Sequence, residues 1–481
     1  MSNLSELIPA GGGQNNTDFV ADGAIASGKP VILNSAGTVT QVGQSAASSI
    51  GVGTPVVFNA SNSNDHCITF DSTSNKIVVG YRTSSTGYGI VGTVSATSIS
   101  YGSATALPSN ANMREASMAY DSTNNKVVMS YRSNDDDYGY AAVGTITGTA
   151  IAWGTPVAFA SAKSEYTNCV YDSSNSKIVI AFNDGANSQY GTAIVGTVSG
   201  ASISFGSEAV FNSGESSKIS MAYDSSNNKV VISCRDETSS VVGSAVVGTV
   251  SSTSISFGTK ATFNSGGTSM IGSSFDTTAN KVVFSYQDGT NSDYGTSIVG
   301  TVSGTSISFG TAAVFNTDSV SDTSCSYDTG ADRTVISYMN GSPDLGKAIA
   351  AAVSGTNLSF NTAVTFNSAA TTFVDSVYDS SAGKVITVYK DTTGRSVVLS
   401  ASATNLTATN LLGIASAVIL NTATGTINTW GSRNEVQTSL TIGSDYYVQS
   451  DGTITTASAS PAQLIGEAIT ATQINIKDYT G

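Results

Sequence analysis

Six carboxylates, Glu115, Glu165, Glu215, Asp318, Asp322 and Asp375, fall in comparable stretches just upstream of a recurring aspartate. Glycoside hydrolysis asks only for two carboxyl groups at a suitable separation, so a polysaccharide-degrading activity is the one hydrolytic chemistry these residue types leave open. A Ser–His–Asp device needs a histidine. The single one, His66, sits beside Asp65 with no nucleophile context and reads as a solvated loop residue. No GxSxG, P-loop or HExxH pattern occurs. The four cysteines, Cys67, Cys169, Cys234 and Cys325, form neither CxxC nor a Cys/His cluster, so buried reduced thiols are expected. The expectation is a chain with no catalytic residue, no metal and no cofactor.

Seven copies of one signature organise the residues around that chemistry. Each is an aromatic, an aspartate, a polar turn, a basic residue and a β-branched run. The aspartates are Asp71, Asp121, Asp172, Asp224, Asp276, Asp328 and Asp379, spaced by 50, 51, 52, 52, 52 and 51 residues. A period near 50 built of short strands and Gly/Ser/Asn turns predicts an all-β fold, a seven-bladed β-propeller with four-stranded blades. In one copy, Met221-Ala222-Tyr223 opens strand a and Lys229 to Ser233 opens strand b. Ser244 to Val250 is strand c, and Ile255 to Asn264 carries strand d. Each aspartate suits an Asx turn, with Asn228 in a left-handed conformation and Lys229 pairing across the hairpin with Asp224. Calcium at these turns would need several alternating carboxylates, and each turn supplies one.

Strand-d ends recur at Phe58, Leu107, Phe159, Phe211, Phe263, Phe315 and Phe366, and the first precedes the first aspartate. The seventh blade therefore takes three strands from the C-terminal side and its outer strand from the N-terminal side. This 3+1 closure removes the free ends of the array. Deleting residues 47–60 is expected to open it. The second strand-d aromatic (Tyr101, Trp153, Phe205, Phe257, Phe309, Phe360) is expected to pack between blades.

The two loop faces differ in information. Turns such as Asp121 to Asn125 and Asp224 to Asn228 barely change from copy to copy, whereas the b–c and d–a loops vary in charge and length. Recognition is expected on that variable face, through Arg82, Tyr88, Arg114, Arg132, Tyr138, Tyr190, Arg235 and Tyr294. Tyrosine offers a flat apolar ring with a polar tip, suited to a glycan or protein epitope.

Composition limits the partners. Of 481 residues only 11% are charged, and the formal net charge is −14, which disfavours nucleic acid. No apolar run reaches the roughly 18 residues of a membrane helix. The start, Met1 to Gly13, shows no secretion signal. Residues 1–17, polar and Gly-rich, read as an arm that orders on a partner.

Residues 1–46 and 405–481 fall outside the repeat, whose span is 47–404. Strands are expected at Ala24 to Leu33, Thr38 to Val42, Leu411 to Leu420, Gly425 to Trp430, Leu440 to Gln449, Thr453 to Thr455 and Ile465 to Ile476. Turns are expected at Asn34-Ser35-Ala36-Gly37 and Ser450-Asp451-Gly452. Both pieces would form one small β domain with the propeller inserted. Leu440-Thr441-Ile442-Gly443-Ser444-Asp445-Tyr446-Tyr447-Val448, Asp451-Gly452-Thr453-Ile454 and Ile465 to Thr472 resemble the small β domain of tailed-bacteriophage virion proteins. Ala21-Asp22-Gly23 to Val42 is similar to companion strands in phage fibre and capsid-decoration proteins. The chain departs from the pattern at Thr438-Ser439, where a glycine is usual before Leu440. The resemblance implies a virion structural protein of tail-fibre or decoration type, assembled in the host cytoplasm. Its split domain would dock to other virion proteins and its propeller would attach to a host-surface glycan or protein. Alternatives are a decoration or fibre-spacer protein that binds only virion subunits, and a homo-oligomer without a coiled coil to enforce it.

Overall fold

A computed structural model describes residues 15–22, 24–33, 37–42, 50–109, 112–238, 241–341, 343–401, 411–449, 452–458 and 463–477. Among them there is no α-helix, and strands dominate. The chain divides into two compact units, one from residues 1–48 and 402–481, the other from 49–401.

In the larger unit each repeat folds as the alternation of its residues requires. Strand b buries both faces, as in Lys229–Asp236 (KVVISCRD), because sheets pack on either side of it. It lies between strand a, which ends on the turn aspartate (Asp224↔Lys229), and strand c, Val242–Ser251. Strand d is split in two, Ser254–Phe257 and Ala261–Asn264, both pairing with strand c. The sheets are antiparallel throughout this unit.

Two of the d-to-a connections are not loops. Ala209–Asp224 and Ala313–Asp328 each run unbroken from the outer edge of one repeat into the inner position of the next. The seven repeats therefore occupy five hydrogen-bonded sheets, three of five strands and two of nine. In the last repeat, strand c (Gly394–Ser400) is completed by Gly51–Val52 and Val56–Asn59 from the start of the unit. The inner a strands contact one another in sequence, and the last, Thr372–Asp379, contacts the first, Asn64–Asp71, closing the cycle.

Close packing between repeats dictates two glycine columns. A Cβ on Gly243, Gly295 or Gly394 would lie 2.5 Å from a ring carbon of Phe263, Phe315 or Phe58. A Cβ on Gly206 or Gly258 would lie 1.8 Å from a carbonyl oxygen of the next repeat. The six strand-d-end phenylalanines and Leu107 are buried. The preceding column, from Tyr101 to Phe360, is half-buried against the clusters between repeats. All four cysteines are buried and free.

The smaller unit interleaves both termini. One sheet has the order Asn16–Val20, Thr424–Asn428, Leu411–Ala415, Pro30–Leu33, Val39–Gln41. The other has Arg433–Asn434, Gln473–Ile476, Gln463–Thr470, Asp445–Val448, Ile454–Thr455. Ile32 and Ile414 of the first pack with Tyr446, Val448, Ile465 and Ile474 of the second. Several strands are shorter than expected, and the region from Ile465 to Ile476 is a hairpin. Asn16–Val20 is a third N-terminal strand, which begins inside the expected arm of residues 1–17 and extends beyond it. It presents little apolar surface, so no alternation marks it. Residues 1–14 of that arm, positions 34–36 and positions 450–451 of the two expected turns lie outside the described residues, as do 47–49 of the closure segment.

Candidate functional site

The constant turns are built as the Asx chemistry demands. In every repeat the aspartate Oδ1 accepts the backbone N–H two and three residues on, from Thr73 and Ser74 in the first to Ser381 and Ala382 in the last, at 2.8–3.1 Å. All seven aspartates are buried. Burial raises the Asp276 and Asp328 carboxyls above the ordinary range. The fourth position after each aspartate is left-handed and is Asn, Ser, Asp or Gly. One expectation is corrected: among the described residues no ion pair joins a turn aspartate to the following Lys or Arg. Lys76 instead reaches strand c and donates to Thr93 Oγ1 at 2.9 Å. In every turn the aspartate's Oδ1 is already taken by backbone N–H donors, and in four of them a turn side chain also donates to Oδ2.

These turns are also joined to one another. Tyr120, just before Asp121, donates from its hydroxyl to Thr73 of the preceding turn at 2.6 Å, and Tyr327 donates to Thr278 at 2.7 Å. Thr73 Oγ1 donates onward to Asn125 at 2.8 Å. Repeat-to-repeat bonding therefore ties these turns to one another and gives a structural reason for their constant residues.

On the opposite face each a strand carries a bulge six residues before its aspartate. The residues there are Asp65, Glu115, Tyr166, Lys218, Met270, Asp322 and Phe373, all with φ between +48° and +54°. A left-handed backbone favours glycine, and other residues hold it at a cost of order 1–3 kcal/mol. None of the seven is glycine, so the strain is kept together with six kinds of side chain, aspartate occurring twice. Bulges of this kind re-aim side chains. The cycle of a strands sets these seven positions in succession around the inner end of the face.

A second column faces it at the end of strand b, eleven residues after the aspartate: Arg82, Arg132, Asn183, Arg235, Gln287, Met339 and Lys390. Arg82 Nε pairs with Asp65 at 2.9 Å. Arg132 pairs with Asp137 at 2.7 Å and approaches Glu115 at 3.9 Å. Both arginines are buried, at 8% and 9% exposure. The carboxylates of their own repeats occupy both of these recognition candidates. Arg235 is half-buried and pairs with Glu237 at 3.1 Å. Arg114 donates to Asn134 at 2.9 Å.

The tyrosines do not converge. Tyr88 stacks on Tyr81 at 5.5 Å. Tyr190 and Tyr294 are half-buried at the first position of strand c, opposite Asp184 and Asp288. Tyr138 is the exposed one, at 36%.

Three of the carboxylates considered for hydrolysis, Glu115, Asp322 and Asp375, link repeats, as does Asp65, while Glu165 pairs with Lys163 and Asp318 accepts from Asn340. Asp65 accepts the Glu115 N–H at 3.1 Å, Glu115 accepts the Tyr166 N–H at 2.5 Å, and Asp322 accepts the Phe373 N–H at 2.7 Å. Burial raises the Glu115 and Asp322 carboxyls, opposed by these N–H donors and by Arg132 and Lys218 respectively. Asp375 accepts from Ile68 N, Ser324 Oγ and Ser376 N, and burial among the inner strands raises it to about 6. Among the described residues no group of three His, Cys, Asp or Glu side chains is placed to hold a metal ion.

His66 is not a solvated loop residue. It is 7% exposed, with Phe58 edge-on at 5.3 Å, Phe373 at 5.9 Å and Ser63 Oγ at 2.9 Å from Nε2. It follows the Asp65 bulge, which turns its ring inward between the last and first repeats. Burial, with Lys390 adding to it, lowers its pKa to about 3.

The bulge column has a faint sequence signal. Once copies are aligned on the aspartate, the sixth position back reads D, E, Y, K, M, D, F, the most varied in charge and size among columns that themselves vary. Met270, Phe373 and Lys390 carry no motif of their own and become visible only in that alignment.

No protein-family model matches the chain, and no curated protein matches it in sequence. Among solved structures it is similar to the BP39L lectin from Burkholderia pseudomallei, at 11% identity and a TM-score of 0.53, over 72% of this chain and 98% of that one. A protein of unknown function from Dyadobacter fermentans DSM 18053 overlaps at a TM-score of 0.41 and 12% identity, over 60% of this chain and 94% of that one. That second overlap is too loose to bear on the fold. At 11% identity the likeness to the lectin concerns the β-rich fold alone.

Proposed function

We propose that residues 49–401 form a seven-bladed β-propeller that serves as a non-enzymatic binding module. Its strand b–c and d–a face engages a surface glycan or protein. The observation that carries this reading is the contrast between the faces. One repeats nearly the same turn in every copy, and the other holds six kinds of side chain, acidic, basic, aromatic and aliphatic, at seven strained positions. The constant turns hold left-handed residues too, but there short polar side chains suited to that backbone recur, whereas Tyr, Lys, Met and Phe at the bulges carry a cost that supports a functional demand on this face. The lectin-like neighbour is compatible with a carbohydrate ligand.

In the same reading the smaller unit is an attachment domain, and the protein is a phage virion component that displays the propeller to a host. The support for that context is the resemblance of residues 440–472 and 21–42 to phage virion domains. Two measurements test it. The full chain is offered a panel of bacterial surface glycans and intact host-range cells, and binding is expected. Immunogold microscopy of phage particles with antibody to residues 49–401 is expected to label tail tips or fibres. Labelling spread over the capsid would favour a decoration protein. A chain that binds no glycan and no cell would sink the attachment reading.

A further inference from the structure

The first two repeats neutralise their own inner-face charges through Arg82–Asp65 and the Arg132 pairs. Farther round the cycle two lysines are handled differently. Lys218 Nζ stands over the Tyr166 ring at 5.3 Å from its centroid, and Lys390 Nζ over the Phe373 ring at 5.6 Å. Tyr166, Lys218 and Phe373 are all strained bulge residues. Among the described residues neither lysine has a carboxylate within ion-pair distance. Lys390 donates instead to Asn64 Oδ1 at 2.8 Å.

The nearby carboxylates already have partners. Glu165 is paired with Lys163 at 2.9 Å and Glu237 with Arg235 at 3.1 Å, while Asp322 accepts the Phe373 N–H. Both lysines are half-buried. Partial burial disfavours an unpaired ammonium, and a ring beneath it returns only about 0.5–2 kcal/mol. In a chain with a formal charge of −14, two cations set over aromatic rings with no carboxylate in ion-pair contact, Lys218 feeling Asp322 only at longer range, form a local exception.

We propose that this arc binds a sugar bearing a carboxylate, of the uronic or sialic acid type. A lysine takes the carboxylate, and the neighbouring aromatic ring supplies apolar surface for the pyranose. The inference rests on the carbohydrate reading above. It also predicts an unusual salt response. The protein's overall negative charge repels an anion at long range while the lysine contact attracts it at short range. Added salt screens both, so affinity changes little.

The test is titration calorimetry of the full chain with a galacturonic acid oligosaccharide and with its methyl-esterified, uncharged form. Sialyllactose and lactose make a second matched pair. The acid of at least one pair is expected to bind at least about tenfold more tightly than its neutral form. Lys218→Gln or Lys390→Gln is expected to remove most of that preference with an unchanged melting temperature. Equal affinity for acid and neutral forms, or binding of neutral panel glycans alone, overturns the acidic-sugar inference and leaves the carbohydrate reading standing. Acid preference that survives both lysine substitutions overturns the assignment to this arc. Failure to bind any glycan, charged or neutral, overturns both readings.

Discussion

The Asp375 carboxylate of the last repeat accepts the Ile68 backbone N–H of the first at 3.1 Å. At matched junctions elsewhere the acceptor is a hydroxyl: Ser324 Oγ takes Ser376 N at 3.0 Å, and Ser117 Oγ takes Cys169 N at 3.2 Å. The cycle thus carries a titratable acceptor at its seam. The only histidine, His66, lies at the same seam.

Asp375 makes a signed prediction. Its pKa is raised from 3.8 to about 6, so the folded state holds the proton more tightly, worth about 3 kcal/mol at full effect. Its contribution favours folding below pH 3.8 and is lost as pH rises through about 6. Asp375→Asn is expected to remove that term, giving a protein whose melting temperature falls more steeply than the parent's between pH 6 and pH 4. Scanning fluorimetry across pH 4–7.5 checks it, and an unchanged profile contradicts it.

His66 acts with the opposite sign. Its folded pKa is depressed to about 3, so stability is complete above pH 6.5 and declines as pH falls toward 3. His66→Phe keeps an aromatic between Phe58 and Phe373 and removes the proton-binding site. Its melting temperature is expected to hold or rise relative to the parent as pH drops from 6.5 to 4. The two seam substitutions should therefore shift the acid limb in opposite directions.

Closure by the early strand is tested at Phe58, buried and in ring contact with His66, Tyr81 and Tyr101. Phe58→Ala is expected to cost about 3–5 kcal/mol in urea unfolding. Deleting residues 47–60 should lower the melting temperature further. A deletion protein that melts with the parent would show that Val56–Asn59 does not latch the last repeat.

The glycine column makes a coupled prediction. A Cβ at Gly243 meets the Phe263 ring at 2.5 Å, so Gly243→Ala should cost about 1–3 kcal/mol by overpacking. In a Phe263→Leu background the ring is gone and most of that cost should vanish. A double-mutant cycle in denaturant measures the coupling, and strict additivity would mean that the contact does not matter.

Arg132 and Tyr138 separate structure from recognition. Arg132→Ala strips a buried cation from Asp137 and Glu115 and is expected to destabilise by about 1–3 kcal/mol. Tyr138→Ala, at an exposed position, should stay within about 0.5 kcal/mol of the parent. If Tyr138 contacts ligand, its loss appears in binding alone.

The local structure was legible in the chain. Seven Asp-anchored turns, the period-two β-branched runs and the phenylalanine count that places Phe58 in the last sheet all follow from side-chain chemistry within a few residues of each position. An Asx turn closes on its own backbone, and alternation declares which faces are buried. The unbroken strand Ala209–Asp224, the inward turn of His66 and the pairing of Lys76 with Thr93 were not legible. Neither were the seven left-handed bulge residues. Each depends on what a neighbouring strand or repeat presents some 15–50 residues away, and a bulge leaves no mark in hydrophobic periodicity. The turn chemistry was set by the sequence on its own. Which variable side chains are spent inside ion pairs, and which are left standing over a ring, was decided only when the repeats came into contact.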